Sequence, residues 1–230
     1  MSFDWTQYSL AELKAHATQS FRTGGGSRPD VLLIEIDGNQ AILKDQGAAD
    51  PLFAFLIGPI LTWREGKALK RLDSVPSVPL LLNKPTSRSL LMAYHESEQI
   101  TRLDKITPNW PEFFEKLNTA ISEVHKAGVA HNDLRNPSNT LISKNGEPIL
   151  VDLVAAFCQG QKWNFINEWI FKKFCFVDQS AVTKIKSRCA PELLTDDDIQ
   201  PEQIAGSSGM AIRSLGQGVR KLSRLIFTKR

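Results

Sequence analysis

The chain has 230 residues, of which 42% are hydrophobic and 23% charged, with a formal net charge of +3. These values exclude a disordered chain except at the two ends, and so small a charge does not by itself imply nucleic acid. The length is short for two independent domains and suits one α+β unit of two lobes around a single cleft.

Ser9 to Glu12 (SLAE) reads as a capping box opening a short helix. Thr23 to Ser27 (TGGGS) is a break. VLLIEI, then Asp37-Gly38-Asn39, then QAILKD predict strand, tight turn and strand, with Lys44 near the end of the second strand. Pro51 to Trp63 is the longest apolar run. It is too short to span a bilayer and is interrupted by Gly58 and Pro59, so it reads as a buried or interfacial segment. Arg64 to Leu72 predicts a helix through Ala68, Leu69 and Leu72. VPLLL and SLLMAY, separated by the turn-rich NKPTSR, predict another antiparallel pair.

The second half changes character. Trp110 to His125 is amphipathic, with Phe113, Phe114, Leu117, Ile121 and Val124 on one face. NTLIS and PILVDLV are short strands joined by KNGE, and helical patterns dominate from Trp163 onward. The joint between the two halves falls at Tyr94–Ser97. Cys158, Cys175 and Cys189 are odd in number and none is spaced as a metal pair, which points to a reducing compartment. The N-terminus MSFDWTQYSL has no signal-peptide core. Arg213, Arg220, Lys221, Arg224, Lys229 and Arg230 crowd the tail around Leu222, Leu225, Ile226 and Phe227. Such a tail is either a solvated last helix or a rest on an anionic membrane.

Three side chains converge around the NTLIS–PILV hairpin. Asp152 follows the apolar strand PILV, so its carboxylate is held at a strand end. Asn139 immediately precedes TLIS, and Asp133 lies upstream in the same polar loop. Two acids and an amide at one hairpin mouth suit a hard cation with phosphate, because Mg²⁺ takes oxygen ligands from one or two carboxylates and from substrate phosphates.

The stretch VHKAGVAHNDLRNPSNTLISKNGEPILVDLV, residues 124–154, resembles the catalytic core of the protein kinase superfamily. His131-Asn132-Asp133-Leu134 is similar to the H-R-D-L of the catalytic loop, and Val151-Asp152-Leu153 stands at the place of D-F-G. The resemblance implies Asp133 as catalytic base, Asp152 and Asn139 as Mg²⁺ ligands, and Arg135 as a cation against the transferring phosphoryl group. It places the asparagine five residues after the aspartate, where this chain has Ser138; Asn139 stands six after, as though one residue were inserted.

The first half supplies matching parts. Lys44 in AILK resembles the lysine that holds the α- and β-phosphates of ATP, and Glu65 in the following helix its ion-pair partner. As an exposed cleft lysine, Lys44 is expected to contribute little to stability. Met92-Ala93-Tyr94-His95 resembles the hinge whose backbone groups bind adenine. Gly25 and Gly26, in a run that is not G-x-G-x-x-G, are either a phosphate cradle or a loop tip.

The implied architecture is a two-lobed protein-kinase-like fold in one domain, 1–230. An antiparallel β N-lobe with one helix runs to about 94, a hinge covers 94–97, and a reduced helical C-lobe follows from about 98. The short length, the HNDLRNPSN loop, the apolar PLFAFLIGPILTWREGKALKRL segment and the helical KIKSRCAPELLTDDD after Asp152 resemble the reduced group containing RIO kinases and bacterial lipopolysaccharide kinases. There Gly often stands where this chain has Asn132, and D-F where it has Asp152-Leu153, a change expected to loosen the coupling of the metal aspartate to the helix carrying Glu65. Ala190-Pro191-Glu192 spells A-P-E but reads more simply as Pro191 opening a helix. The cysteines, the N-terminus and the short apolar run together point to a cytoplasmic enzyme, peripheral to the inner membrane if the tail binds lipid. It would transfer the ATP γ-phosphoryl group to serine/threonine hydroxyls or to a glycolipid sugar or small molecule. A catalytically silent binding module is the reading from another class.

Overall fold

The Ser9 hydroxyl accepts the Glu12 N–H, and the Glu12 carboxylate accepts the Ser9 N–H in return. This reciprocal cap opens α1 (Leu10–Ala15), the first helix of a computed structural model that describes residues 3–160 and 165–195. The basic tail lies outside the described residues.

Five strands follow in one antiparallel sheet: β1 (Ala17–Arg22), β2 (Asp30–Ile36), β3 (Asn39–Asp45), β4 (Leu81–Thr86) and β5 (Ser89–Ala93), in the order β1-β2-β3-β5-β4. The β2–β3 turn places Asp37 at φ 50° and Gly38 at φ 76°. Two successive left-handed residues make the turn whose twist matches a hairpin. Strand β4 continues through Asn83, Lys84 and Pro85, so the NKPTSR turn shrinks to Ser87-Arg88. Pro85 is tolerated because β4 is an edge strand, where one missing N–H breaks no ladder.

The segment between β3 and β4 holds two helices, α2 (Pro51–Leu56) and then α3 (Gly58–Arg71), followed by turns over 72–80. Helix α3 begins at Gly58 rather than near Arg64, with Pro59 in its first turn, where a missing N–H costs nothing.

Alternation along β3 sorts its side chains between two cores. Ala41 and Leu43 join Trp5, Leu13 and Leu91 under the N-terminal segment. Ile42 and Lys44 face the opposite way, toward the cleft. A larger core runs from α3 (Ala68, Leu69, Leu72) into the helical lobe. There α4 (Trp110–Lys126) buries Phe113, Phe114, Leu117, Ile121 and Val124, the face expected from its periodicity. Each such side chain contributes roughly 1.5–3 kcal/mol before entropy is subtracted.

The remaining strands are short: β6 (Ser97–Gln99), β7 (Val129–Ala130), β8 (Thr140–Ser143), β9 (Pro148–Leu150) and β10 (Phe157–Cys158). They form the β6-β8-β9 sheet and the β7–β10 pair. Helix α5 (Phe165–Cys189) packs on α4, and Pro191 opens only a single tight turn, Pro191–Leu193.

Two arginines of α3 cross to the helical lobe. Arg71 donates to Ala127 O (2.8 Å) and Gln159 O (2.6 Å), and Arg64 to Ala155 and Ala156 O (3.4 Å each). The Arg71 guanidinium lies against Gly128, where a Cβ would stand 2.5 Å from Nη2. Gly128 also has φ 75°, a backbone that favours glycine, and any Cβ there would have to push the Arg71 guanidinium aside.

Candidate active site

A cavity of about 250 Å³ opens where the sheet meets the helical lobe. Val31, Ile42, Met92, Leu141 and Ile149 give it apolar walls, and Tyr94 and His95 line it where the chain passes between lobes. Burial pulls the His95 imidazole below its ordinary value, which favours the neutral ring.

Lys44 stands at the polar end. Its Nζ donates to Glu65 Oε1 and to Asp152 Oδ1, both at 2.8 Å. The side chains of Lys44 and Glu65 are only 7% and 2% exposed, whereas that of Asp152 is 34% exposed and faces the cavity. The lysine is therefore buried, which corrects the expectation of an exposed cleft cation. Position 44 faces the cleft, but α3 and the turn after β9 close over it. Burial alone would lower its pKa; Glu65 and Asp152 outweigh that and raise it, so the ammonium persists. Burial also drives the Asp152 carboxyl up, but Lys44, with Arg22 and His131 behind it, holds it below the ordinary aspartate value.

Asn139 stands opposite Val151, one position from Asp152, at the mouth of the β8–β9 hairpin. Thr140 faces Leu150 in the β8–β9 ladder, and Val151 N–H extends it by bonding Asn139 O at 2.9 Å. Asn139 and Asp152 both line the cavity. Asn139 is buried, and its Nδ2 donates to Asp133 Oδ2 (2.9 Å) and Asp133 O (3.1 Å). Its Oδ1 takes a long contact of 3.4 Å from Asn136. An amide anchored through nitrogen presents its oxygen, which with the Asp152 carboxylate gives the hard oxygen donors that Mg²⁺ takes. Ser138 also lines the cavity. Asp133 and Arg135 are half-buried on the loop beside it, outside the residues that line it.

Gly25 and Gly26 are absent from the cavity wall. Their loop joins β1 to β2, but its amides are occupied: Gly24 N–H by Asp30, Gly25 N–H by Arg28 O, and Gly26 N–H by Asp50. A phosphate cradle needs such N–H groups pointing at the ligand. Phe21 and Arg22, from the end of β1, line the cavity instead.

Asp178, in the middle of α5, was not singled out by sequence reasoning. It is fully buried, and its carboxylate accepts three bonds: His131 N–H (2.7 Å), Asn132 N–H (2.7 Å) and His125 Nε2–H (3.1 Å). His131 Nε2 in turn donates to Val151 O (3.0 Å), tying the loop to the residue before Asp152. Asn132 and Asp152 are left-handed, at φ 63° and 66°. Asn and Asp are among the few side chains that tolerate that region, so Asn132 meets a backbone demand that glycine also meets. Leu153 is buried in the main core and its turn packs on α3, so leucine keeps the turn fastened to that helix.

The fold recurs among solved structures. The Rio2 kinase from Chaetomium thermophilum superimposes with a TM-score of 0.58 at 15% identity, covering 78% of this chain and 61% of that one. The fold is that of the protein kinases. A second structure from that organism, a Rio2 kinase-ADP/Mg²⁺-phosphoaspartate complex, matches with the same score and identity over 58% of its length. The chain thus spans about three fifths of the structures it matches. No protein-family model matches the sequence, and no curated protein does.

Proposed function

We propose that the protein is an ATP-dependent phosphotransferase acting on hydroxyl groups, with serine/threonine side chains as the first substrate class to test. The observation that carries this reading is the Lys44 ammonium held between buried Glu65 and cavity-facing Asp152, with Asn139 alongside. In this reading residues up to about 94 form one lobe, 94–97 the joint, and the rest the second lobe of one kinase-like domain.

Adenine would lie between Val31, Ile42, Leu141 and Ile149, against the backbone of Met92 to Tyr94. Lys44 and Arg22 would face the phosphates. Mg²⁺, when bound, would neutralise phosphate charge, and Asn139 and Asp152 would hold it. Asp133, fixed through Asn139, would accept the proton of the incoming hydroxyl, and Arg135 would stand near the transferring group. Phosphoryl transfer asks the protein mainly for positioning and positive charge, which this set of residues provides. Gly25 and Gly26 take no part.

The test is a pair of variants assayed for Mg-ATP turnover and nucleotide affinity. Asp133→Asn should cost on the order of 10²–10⁴-fold in rate with affinity nearly unchanged, because a base acts on the incoming hydroxyl. Asp152→Asn should lose both. Equal loss of affinity in the two would make Asp133 a ligand or structural residue. The occupied glycine amides favour a second reading, a silent nucleotide-binding module. It would stand if the parent chain bound Mg-ATP without turnover.

A further inference from the structure

Leu52, Phe55, Leu56, Ile60 and Trp63 are all exposed by half or more, Phe55 by 71% and Trp63 by 57%. Their spacing follows the helical repeat across the α2–α3 junction. Ile57 stays helical there: its N–H bonds Phe53 O at 2.8 Å, and Leu61 N–H bonds Ile57 O at 3.1 Å. The five side chains therefore form one outward stripe, while the opposite face is buried in the protein. A contiguous apolar surface of this kind marks an interaction site.

Charge indicates what covers it. The stripe continues into exposed Lys67 and Lys70, with Lys67 Nζ 5.3 Å from the Trp63 ring centroid. Between positions 51 and 71 the only acid is Glu65, and it is buried with Lys44. The face is thus apolar at one end and cationic at the other, with the exposed acids Asp50 and Asp73 just before and just after it. The segment 196–230 sets six basic residues against four acidic ones, Asp196, Asp197, Asp198 and Glu202, so it stays net positive and has no overall charge attraction to the lysines. An anionic lipid surface suits both ends: the apolar side chains enter the acyl boundary, Trp63 sits at headgroup level, and the lysines meet phosphates. The start of α5 repeats the composition, with exposed Phe165, Ile166 and Trp169 and with Lys173 Nζ 5.6 Å from the Trp169 ring; α5 and α3 both pack on β10.

We propose that the outer face of α2–α3 seats the protein on an anionic bilayer. This stands whether or not the chain transfers phosphate, so the test is binding alone. The full chain is sedimented with vesicles of phosphatidylcholine, or of phosphatidylcholine and phosphatidylglycerol in equal parts. The parent should bind the second kind, and salt should weaken it. Phe55→Ser/Trp63→Ser should bind roughly tenfold or more weakly, since two large apolar side chains leave the interface. Lys67→Glu/Lys70→Glu should lose the preference for anionic lipid, and it decides the matter if the first variant does not fold. Failure of the parent to bind would overturn the proposal. So would parental binding by both variants, or binding lost only on Arg220→Glu/Lys221→Glu. Self-association without lipid that Phe55→Ser/Trp63→Ser abolishes would assign the face to a second copy instead.

Discussion

Lys44 Nζ meets Glu65 Oε1 at 2.8 Å in a contact almost sealed from water. Removing one partner of such a pair leaves an uncompensated buried charge, at a cost of about 3–5 kcal/mol. Lys44→Ala should therefore destabilise the fold as well as abolish nucleotide binding. Lys44→Met/Glu65→Gln should recover part of the stability and none of the binding. Urea unfolding midpoints set beside nucleotide titrations check this; a Lys44→Ala chain as stable as the parent would show that the site is wetter than the contact implies.

Asp178 makes the loop of His131 and Asn132 a dependency of α5. Asp178→Ala strands the buried His131 N–H and the half-buried Asn132 N–H, at about 1–3 kcal/mol for the first and less for the second. Stability should fall by that order, and turnover should fall further than stability explains, because Asp133 is the next residue in the loop. Asp178→Asn restores an acceptor for one N–H and should lie between. Activity measured well below the unfolding midpoint separates the two effects.

Arg22 and the glycines make opposite predictions. Arg22→Ala should weaken Mg-ATP affinity by roughly tenfold, the scale of one lost charge-assisted contact. Gly26→Ala meets no atom within 4 Å but sits at φ 58°. It should cost about 1 kcal/mol of stability with affinity unchanged. If Gly26→Ala lowered affinity more than Arg22→Ala, the loop would have to turn its amides toward the ligand.

The Asp152 carboxyl titrates below its ordinary value of 3.8. The unfolded chain therefore binds this proton more readily than the native one. The stabilisation is fully present above 3.8 and is lost as pH falls through the lower native value. Asp152→Asn should then differ from the parent in stability by a constant amount near neutrality, and the difference should shrink in acid below 3.8. A difference that persisted to the acid end would mean that Lys44 does not hold the carboxylate ionised.

Much of this was legible because its signals are local. The Ser9–Glu12 cap, the Asp37-Gly38 turn and the buried face of α4 depend on neighbours three or four positions apart or fewer. The β8–β9 hairpin placed Asn139 near Asp152 through its length alone. The missed parts depend on distant partners. Strand β1 is exposed along all six residues, so no apolar alternation announces it, yet it delivers Arg22. Asp178 reads as one acid in a long helix, and its meaning lies 46 and 47 residues away. The start of α3 at Gly58 was hidden because Pro51 to Trp63 is apolar on both faces, which erases the period that marks a helix.

Arg71 has a mechanical consequence. Its bonds to Ala127 O and Gln159 O tether the back of the cleft, and the chain at 94–96 tethers another side. A shell fixed along two margins does not swing open as a clam does. It yields at its free lip, here edge strand β1 with Phe21 and Arg22 at its end. Fraying of an edge strand is a low-energy, local event compared with rotation of a lobe. Exchange of bound ligand would then be timed by β1 lifting from β2, and hydrogen exchange along Ala17–Arg22 would report it.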